Sequence, residues 1–308
     1  MNANRLVHLT ASALALAFTS CLPTHATIAL VPKLDAPLPP SWLDKDAMWL
    51  LPQLEGAPEA SRGPNVRALG AIVADLDRGE VLWARKPDAP VPVASLTKLL
   101  SALTLVSVDP SPDLQRTWCV TPELWPPKPG ARSSFETGVC HEGWDFLGAA
   151  LVHSDNRGAM AMPWLAGLPY GMFIDAMNDT AADLGVHGHW EDPTGLGNEN
   201  RASPRDMLKI VVALAEHPWL PSIASSPAWE ITRDRGTQFL GTTNRLLGRY
   251  ETIAAKTGYT DDAHYCYAAV VRTEAGAHLA VVVLASPTTG ARFDDAERMI
   301  AWADSLER

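Results

Sequence analysis

Val93-Ala94-Ser95-Leu96-Thr97-Lys98-Leu99-Leu100 is the stretch on which the interpretation of the whole chain depends. Ser95 and Lys98 are three residues apart, so in a helix their side chains lie on one face, about one turn apart. A serine hydroxyl is a weak nucleophile at neutral pH, but a neutral lysine amine can accept its proton. Burial lowers the pKa of a lysine, and the free N–H groups of a helix start favour negative charge. The spacing therefore fits a nucleophile and its base, although a helix cap followed by a solvated lysine has the same pattern.

The composition is that of an ordinary globular protein and excludes some classes of partner. The chain has 308 residues, 47% hydrophobic and 19% charged, which allows one large domain or two. The net charge is -10 and there is no basic run, so we expect no nucleic-acid partner. No uncharged apolar stretch of about eighteen residues follows the N-terminus, so we expect no membrane anchor in the mature chain.

The N-terminus has the features of a secretory signal, which we assign to residues 1–26. Arg5 supplies the positive start, Ala11–Ser20 is a short apolar run, and Thr24-His25-Ala26 offers a small-x-small cleavage site. We therefore predict an exported, periplasmic protein. A lipoprotein anchored through Cys21 is the less favoured alternative.

Residues 27–65 are rich in proline and are predicted to form a tether on the surface, and residues 66–308 are predicted to form the functional domain. In an oxidising compartment Cys119 and Cys140 are a plausible disulfide pair, whereas Cys266 lies in an apolar run and suits a buried thiol. A metal site at Cys119, Cys140 and His141 is the alternative, but the spacing is unlike that of a zinc site.

The pattern along the domain indicates strands at both chain ends and helices between them. Predicted strands are 68–76 and 80–85 near the start, and 253–256, 263–272 and 278–285 near the end, followed by a helix over 294–305. Helices are predicted over 144–152, over 172–184 and after a capping signal at Ser203. We therefore predict an α+β fold: a central antiparallel sheet built from both chain ends and flanked by helices, with a mainly helical insertion at about residues 107–245.

Two further motifs follow Ser95 and Lys98 in the chain. Ser154-Asp155-Asn156 follows a predicted helix, and Lys256-Thr257-Gly258 ends a predicted strand. Ser154-Asp155-Asn156 alone is typical of an exposed turn, and Lys256 alone is typical of a charged residue at the end of a strand. Together and in this order, Ser-x-x-Lys, Ser-Asp-Asn and Lys-Thr-Gly are the motif set of penicillin-binding proteins and β-lactamases.

The chain resembles the D-alanyl-D-alanine carboxypeptidases of the low-molecular-mass penicillin-binding type. Besides the three motifs, the resemblance rests on Met177-Asn178, Asp192-Pro193-Thr194-Gly195-Leu196 with Asn200, Thr243-Asn244-Arg245-Leu246-Leu247 and Lys256-Thr257-Gly258-Tyr259-Thr260. It covers about residues 66–305. It implies a serine β-lactamase-like fold whose active site lies between the sheet and the helical region.

The resemblance also implies roles for the residues of the first two motifs. Ser95 attacks the carbonyl between two D-alanines and forms an acyl-enzyme, while Lys98 accepts its proton. Ser154 passes a proton to the leaving amine, and Asn156 orients Lys98 and the substrate amide.

The roles implied for the third motif concern charge and substrate binding. Lys256 supplies positive potential and positions Ser154, and Lys256, Thr257, Gly258 and Arg292 bind the substrate, Thr257 and Arg292 taking its terminal carboxylate. The backbone N–H groups of Ser95 and Tyr259 form the oxyanion hole, where each donor contributes about 10²–10³ in rate.

The function that follows is a serine-type carboxypeptidase acting on peptidoglycan stem peptides and bound by β-lactam antibiotics, with no cofactor or metal. A D,D-endopeptidase that cuts peptidoglycan crosslinks is the main alternative. A β-lactamase is less favoured because the chain has no Glu-x-x-Leu-Asn string, and a non-catalytic wall-binding protein is less favoured because all motif side chains are present. A Ser-His-Asp site using His153, His189 or His264 is not supported, since no serine lies in a Gly-x-Ser-x-Gly elbow. His264 also stands where family members usually have glycine.

Overall fold

The computed structural model describes residues 63–124, 131, 133–233 and 236–306. The predicted signal peptide and most of the predicted tether lie outside these residues. The boundaries at residues 26 and 65 therefore stay predictions.

The described residues contain strands of two to ten residues, named here in chain order. The strands are β1 (Gly70–Asp75), β2 (Glu80–Arg85), β3 (Val91–Pro92), β4 (Thr117–Cys119), β5 (Cys140–Glu142), β6 (Arg201–Ala202), β7 (Ala228–Arg233), β8 (Gly236–Gly241), β9 (Glu251–Thr260), β10 (His264–Arg272) and β11 (His278–Ser286).

The α-helices of the described residues lie mostly between β3 and β7. They are α1 (Thr97–Val108), α2 (Gly143–Gly148), α3 (Asn156–Met160), α4 (Met162–Leu165), α5 (Tyr170–Asp183), α6 (Pro204–Glu216), α7 (Leu220–Ala224) and α8 (Thr289–Asp304). None of the helices within the described ranges combines the length and the hydropathy that crossing a membrane requires.

The central sheet has five strands in the order β2-β1-β11-β10-β9. Strand β1 pairs antiparallel with β11, with Gly70 opposite Leu284 and Asp75 opposite Leu279, so the two ends of the domain are joined by one ladder. This confirms the predicted α+β fold with an antiparallel sheet made from both chain ends.

Alternate residues of the sheet pack into two separate hydrophobic cores. On β11, Val281 and Val283 pack with residues of α8 such as Met299. Val282 and Leu284 face the opposite side and pack with the large helical core. Successive side chains of a strand point to opposite faces of the sheet, and here both faces are buried. The strands therefore appear in the sequence as continuous apolar runs.

Some elements differ from the sequence prediction. The predicted helical insertion contains a two-stranded sheet of β7 and β8, which the sequence pattern did not indicate. The Lys256-Thr257-Gly258 motif does not end its strand but lies within β9, which continues to Thr260. Helix α8 begins at Thr289, five residues before the predicted start, because the Thr288 side chain accepts a hydrogen bond from the Ala291 N–H and caps it.

A disulfide joins Cys119 to Cys140 across the small β4–β5 sheet. The predicted pairing is therefore confirmed, and the alternative of a metal bound by these cysteines and His141 is excluded because neither sulfur is a free thiolate. Cys266 is a buried free thiol, and burial raises its pKa to about 11.

Candidate active site

Ser95 lies on a single turn of 3-10 helix that precedes α1. The turn comprises Ala94–Leu96, and α1 begins only at Thr97, so Ser95 is not in the first turn of an α-helix as the sequence suggested. Ala94 has a φ of +50°, and its carbonyl accepts a hydrogen bond from Thr97 Oγ1 at 2.8 Å. This bond holds the turn in a backbone conformation that alanine rarely adopts.

Lys98 lies under this turn and is fully buried. Its Nζ atom is 2.8 Å from Ser95 Oγ, and it donates to Asn156 Oδ1 at 3.0 Å and to the Thr194 carbonyl at 2.8 Å. A neutral amine has two N–H groups and one lone pair. Since the two carbonyl oxygens can accept only hydrogens, the arrangement leaves the lone pair for the Ser95 hydroxyl.

The surroundings of Lys98 bring its charge change into the neutral pH range. Burial lowers the pKa of Lys98 from 10.5 to about 7, and the negative charges of Asp192 and Asp155 limit the fall. The amine is therefore about half neutral at pH 7, as a general base requires.

Lys256 lies on β9 and is also fully buried, with Nζ donating to the Thr257 carbonyl at 3.0 Å. Burial first, and then the positive charges of Lys98 and Arg292, hold the pKa of Lys256 well below 10.5. Lys256 is thus electrostatically coupled to Lys98, as expected for two lysines of one site. Among the described residues no hydrogen bond joins Lys256 to Ser154, so the predicted positioning of Ser154 by Lys256 stays a prediction.

The Ser154-Asp155-Asn156 motif connects a π-helical turn (Ala149–His153) to α3. Ser154 is left-handed, with φ 65° and ψ 29°, and Asp155 caps α3 by accepting from the Gly158 N–H. The Asp155 carboxylate also accepts from Ser133 Oγ and the Ser134 N–H. Asp155 therefore joins residues 133 and 134 to the start of α3, where Asn156 lies, a role that the motif alone did not reveal.

The Gly258 backbone approaches the Ser95 turn closely. A Cβ at this position would lie 2.8 Å from the Val93 carbonyl oxygen and 3.2 Å from the Ser95 N atom, so a side chain would push β9 away from the turn. Strand β9 is the outer strand of the sheet on this side, so its free edge faces the turn. The position of Gly258 is consistent with the predicted oxyanion hole between the Ser95 and Tyr259 amides, which stays a prediction.

Thr257 and Arg292 lie on or against β9, but they do not contact each other through a hydrogen bond among the described residues. Thr257 Oγ1 donates to Thr243 Oγ1 at 2.6 Å. The buried Arg292 guanidinium donates to the Gly258 carbonyl at 2.8 Å and to the Cys266 carbonyl at 3.3 Å. Arg292 therefore supports the β9 backbone from the α8 side, and its predicted contact with a substrate carboxylate stays a prediction.

The histidines that suggested a Ser-His-Asp site lie in other surroundings. His153 Nδ1 is hydrogen bonded to the Gly241 carbonyl, and exposed His189 pairs with Glu191. His264 has a φ of +52° in the tight β9–β10 connection, which explains why glycine suits this position.

Comparison with known proteins identifies the family. Residues 57–288, more than two thirds of the chain, match the family described as D-alanyl-D-alanine carboxypeptidase. The chain belongs to this family. It is accordingly a serine D-Ala-D-Ala peptidase, which confirms the resemblance seen in the sequence.

Individual members of the family show how close the match is. This peptidase is 30% identical over 241 residues to a D-alanyl-D-alanine endopeptidase of Pseudomonas aeruginosa, covering 76% of each chain. It is 29% identical over 228 residues to the D-alanyl-D-alanine carboxypeptidase DacB2 of Mycobacterium tuberculosis, covering 72% of this chain and 74% of the relative.

A solved structure supports the fold. The crystal structure of a D-alanyl-D-alanine carboxypeptidase from Mycobacterium tuberculosis superposes with a TM-score of 0.71 at 26% identity, covering 83% of this chain and 96% of that one. The overall fold of the described residues is therefore that of a known D-alanyl-D-alanine carboxypeptidase.

Proposed function

We propose that the peptidase cleaves peptidoglycan peptides through an acyl-enzyme on Ser95, with Lys98 as the base. The observation that carries this proposal is the Lys98 amine, which is buried, has a pKa of about 7 and lies 2.8 Å from Ser95 Oγ. A solvated lysine would keep its proton at neutral pH and could not act in this way.

The reaction starts when Ser95 Oγ attacks the carbonyl carbon of the scissile D-Ala amide and its proton passes to Lys98 Nζ. The negative oxygen of the tetrahedral intermediate is stabilised by the backbone N–H groups of Ser95 and Tyr259. Collapse breaks the C–N bond, and the proton held on Lys98 Nζ passes by way of the Ser154 hydroxyl to the leaving amine, so that both Lys98 and Ser154 end this step as they began it. Water then attacks the ester carbonyl and gives a proton to Lys98, and this proton returns to Ser95 Oγ as the C–O bond to the serine breaks and the carboxylic acid leaves.

Two positive groups and one hydroxyl of the site bind the carboxylate of the departing residue. Lys256, Thr257 and Arg292 lie on or behind β9, and the depressed pKa of Lys256 reflects the cost of holding its charge in a buried site. A bound carboxylate offsets that cost and favours the protonated form. Substrate binding thus stabilises the charged form of Lys256.

We propose carboxypeptidase activity on stem peptides as the main reaction. Endopeptidase activity on crosslinks is the second candidate, because the Pseudomonas aeruginosa relative at 30% identity is an endopeptidase. β-Lactam antibiotics would acylate the same serine. The Cys119–Cys140 disulfide and the signal-like N-terminus support a periplasmic location, since disulfides persist in oxidising compartments.

The test of the nucleophile is mass spectrometry of the intact protein after brief exposure to a penicillin. We expect one adduct, mapped to Ser95, that is absent in Ser95→Ala and retained in the matched surface variant Ser111→Ala. An adduct on another residue contradicts the assignment of Ser95 as the nucleophile, and the absence of any adduct contradicts the proposal and favours a non-catalytic wall-binding protein. Rapid loss of the adduct with release of hydrolysed drug would indicate a β-lactamase.

A second assay separates the two peptidase reactions. The purified protein is incubated with monomeric pentapeptide fragments and, separately, with crosslinked wall fragments lacking pentapeptides. Release of D-alanine from the monomers supports the carboxypeptidase, and conversion of dimers to monomers supports the endopeptidase. The Ser95→Ala variant must lose whichever activity is found.

A further inference from the structure

The segment of residues 192–200, called the Asp192 loop here, is folded around one carboxylate. Asp192 is 6% exposed, and its Oδ1 accepts from the Thr194 N–H at 2.7 Å and the Gly195 N–H at 2.8 Å. Oδ1 also accepts from Thr194 Oγ1, and Oδ2 accepts from the Gly197 N–H at 3.0 Å. These bonds close a turn whose shape depends on Asp192.

The Asp192 loop is attached to the element that carries Ser95 and Lys98. Asn200 Nδ2 donates to Thr97 Oγ1 at 3.1 Å and to the Asp192 carbonyl at 2.7 Å. Ser101 Oγ, one turn beyond Lys98 on α1, donates to the Pro193 carbonyl at 2.8 Å. The loop therefore has a fixed position relative to α1 on both sides of Lys98.

The Thr194 carbonyl is the point at which the loop meets the reactive amine. It accepts one N–H of Lys98, and Asn156 Oδ1 accepts the other. Without the Thr194 acceptor, the amine can rotate about its last carbon–nitrogen bond and turn an N–H toward Ser95. Rotation in this direction removes the lone pair from the serine proton.

We infer that Asp192 is a positioning residue for Lys98: its hydrogen bonds fix the Thr194 carbonyl against the amine, and its negative charge favours the charged form of that amine. The inference rests on the proposed role of Lys98 as the base. It goes beyond that role because it assigns a function to a residue that touches neither Ser95 nor any proposed substrate-binding group.

The charged groups facing Lys98 allow the two effects to be separated. Asp192 on the loop and Asp155 before α3 raise the pKa of Lys98, and Lys256 on β9 is the neighbouring basic group, whose own pKa is lowered by Lys98. If Asp192 loses its charge, the pKa of Lys98 falls and the acid limb of the acylation rate moves to lower pH. A purely structural defect lowers the acylation rate at every pH and does not move the acid limb of the pH profile.

The test compares Asp192→Asn with two controls. Asparagine keeps an oxygen for the Thr194 and Gly195 N–H groups but removes the charge. Thr194→Val removes the hydroxyl bond to Asp192 and keeps both the charge and the carbonyl. Asp88→Asn removes an equal charge at the surface, where Asp88 pairs with Arg205.

Two measurements are made on each variant. The first is the pH profile of acylation by a fluorescent penicillin. The second is the titration of Lys98 by NMR in protein with 13C-labelled lysine, assigned by comparison with Lys98→Met. For Asp192→Asn we expect the midpoint of the acylation pH profile and the midpoint of the Lys98 NMR titration each to fall by about one pH unit. We expect the acylation rate at the high-pH plateau to fall about tenfold. Thr194→Val lowers the plateau rate and leaves both midpoints unchanged. Asp88→Asn changes neither the plateau rate nor the midpoints.

Unchanged midpoints in Asp192→Asn overturn the inference, as does an equal shift in Thr194→Val. If wild-type protein is not acylated at Ser95, the proposed function fails, and the NMR titration still decides whether Asp192 acts on Lys98. If Asp192→Asn does not fold, Asp192→Ser supplies a second charge-free variant that retains a hydrogen-bonding oxygen.

Discussion

Replacing Gly195 by alanine tests whether the active site depends on the close approach of the Asp192 loop to the Ser95 turn. Gly195 has a φ of +77°, and a Cβ there would lie 1.8 Å from the Ala94 carbonyl oxygen and 2.7 Å from Thr97 Oγ1. Both contacts involve groups that hold the nucleophile turn. The added methyl group must therefore displace the loop, the turn or both.

The expected cost follows from two separate effects. The left-handed backbone costs alanine about 1–2 kcal/mol, and forcing a methyl group into a filled space costs about 1–3 kcal/mol more. Restoring an ordinary contact requires a shift of about 1.5 Å, and a displacement of about 1 Å in a catalytic group can reduce a rate about 10²-fold. We therefore expect Gly195→Ala to lose about 2–5 kcal/mol of unfolding free energy and about 10²-fold in acylation rate.

Gly167→Ala is the matched control, because Gly167 has a φ of +68° and no atom within 4 Å of its Cβ position. Gly167→Ala therefore places alanine in a left-handed backbone conformation, but its methyl group overlaps with no other atom. Unfolding in urea and acylation by a fluorescent penicillin are measured for both variants. We expect Gly167→Ala to lose about 1–2 kcal/mol and keep the wild-type acylation rate. Equal acylation rates in the two variants would refute the argument that the loop and the turn must touch.

Three further predictions concern titration and the disulfide. The acylation rate rises about fivefold from pH 6 to pH 7 and about twofold from pH 7 to pH 8, because the pKa of Lys98 is about 7 and only the neutral amine is a base; a stopped-flow pH series with a flat profile would contradict this. Burial lowers the pKa of His217 to about 3, so the unfolded state binds a proton that the folded state does not. Stability thus falls as the pH drops from about 6.5 toward 3, by up to about 1.4 kcal/mol per pH unit, and His217→Asn reduces this slope in urea titrations. Replacing Cys119 and Cys140 by serine opens a loop with a sequence separation of 21 and costs about 3 kcal/mol, and reductant must destabilise the wild type but not this double variant.

The parts of the site that the sequence predicted are those in which chemistry requires a fixed spacing. Ser95 and Lys98 must be three residues apart to share a face, and the structure places their reactive atoms 2.8 Å apart. The five-stranded sheet was predictable for a related reason, since its strands are apolar and bounded by turn residues such as Gly79 and Gly276.

The parts that the sequence did not predict depend on contacts between distant segments. Asp192 and Thr194 were visible as members of a motif, but nothing local indicates that the Thr194 carbonyl lies on Lys98, 96 residues earlier. The β7–β8 sheet was missed because β8 contains two glycines and two polar residues and is mostly exposed, and an exposed strand has little hydrophobic pattern. Ser95 was assigned to an α-helix because a single 3-10 turn has no pattern of its own.

The pKa of Lys98 shows why the unpredicted residues matter to the reaction. Burial alone pulls the pKa down, and a base with a much lower pKa would be neutral but would hold the serine proton weakly. The nearby negative charges of Asp192 and Asp155 act in the other direction, and the balance lies at about 7. The same two aspartates also accept the N–H groups that shape the chain around Thr194 and Asn156, the two acceptors of Lys98. The same two side chains therefore set both the orientation of the Lys98 amine and its pKa. A change to either aspartate alters the direction in which the amine points and the pH range in which it is neutral.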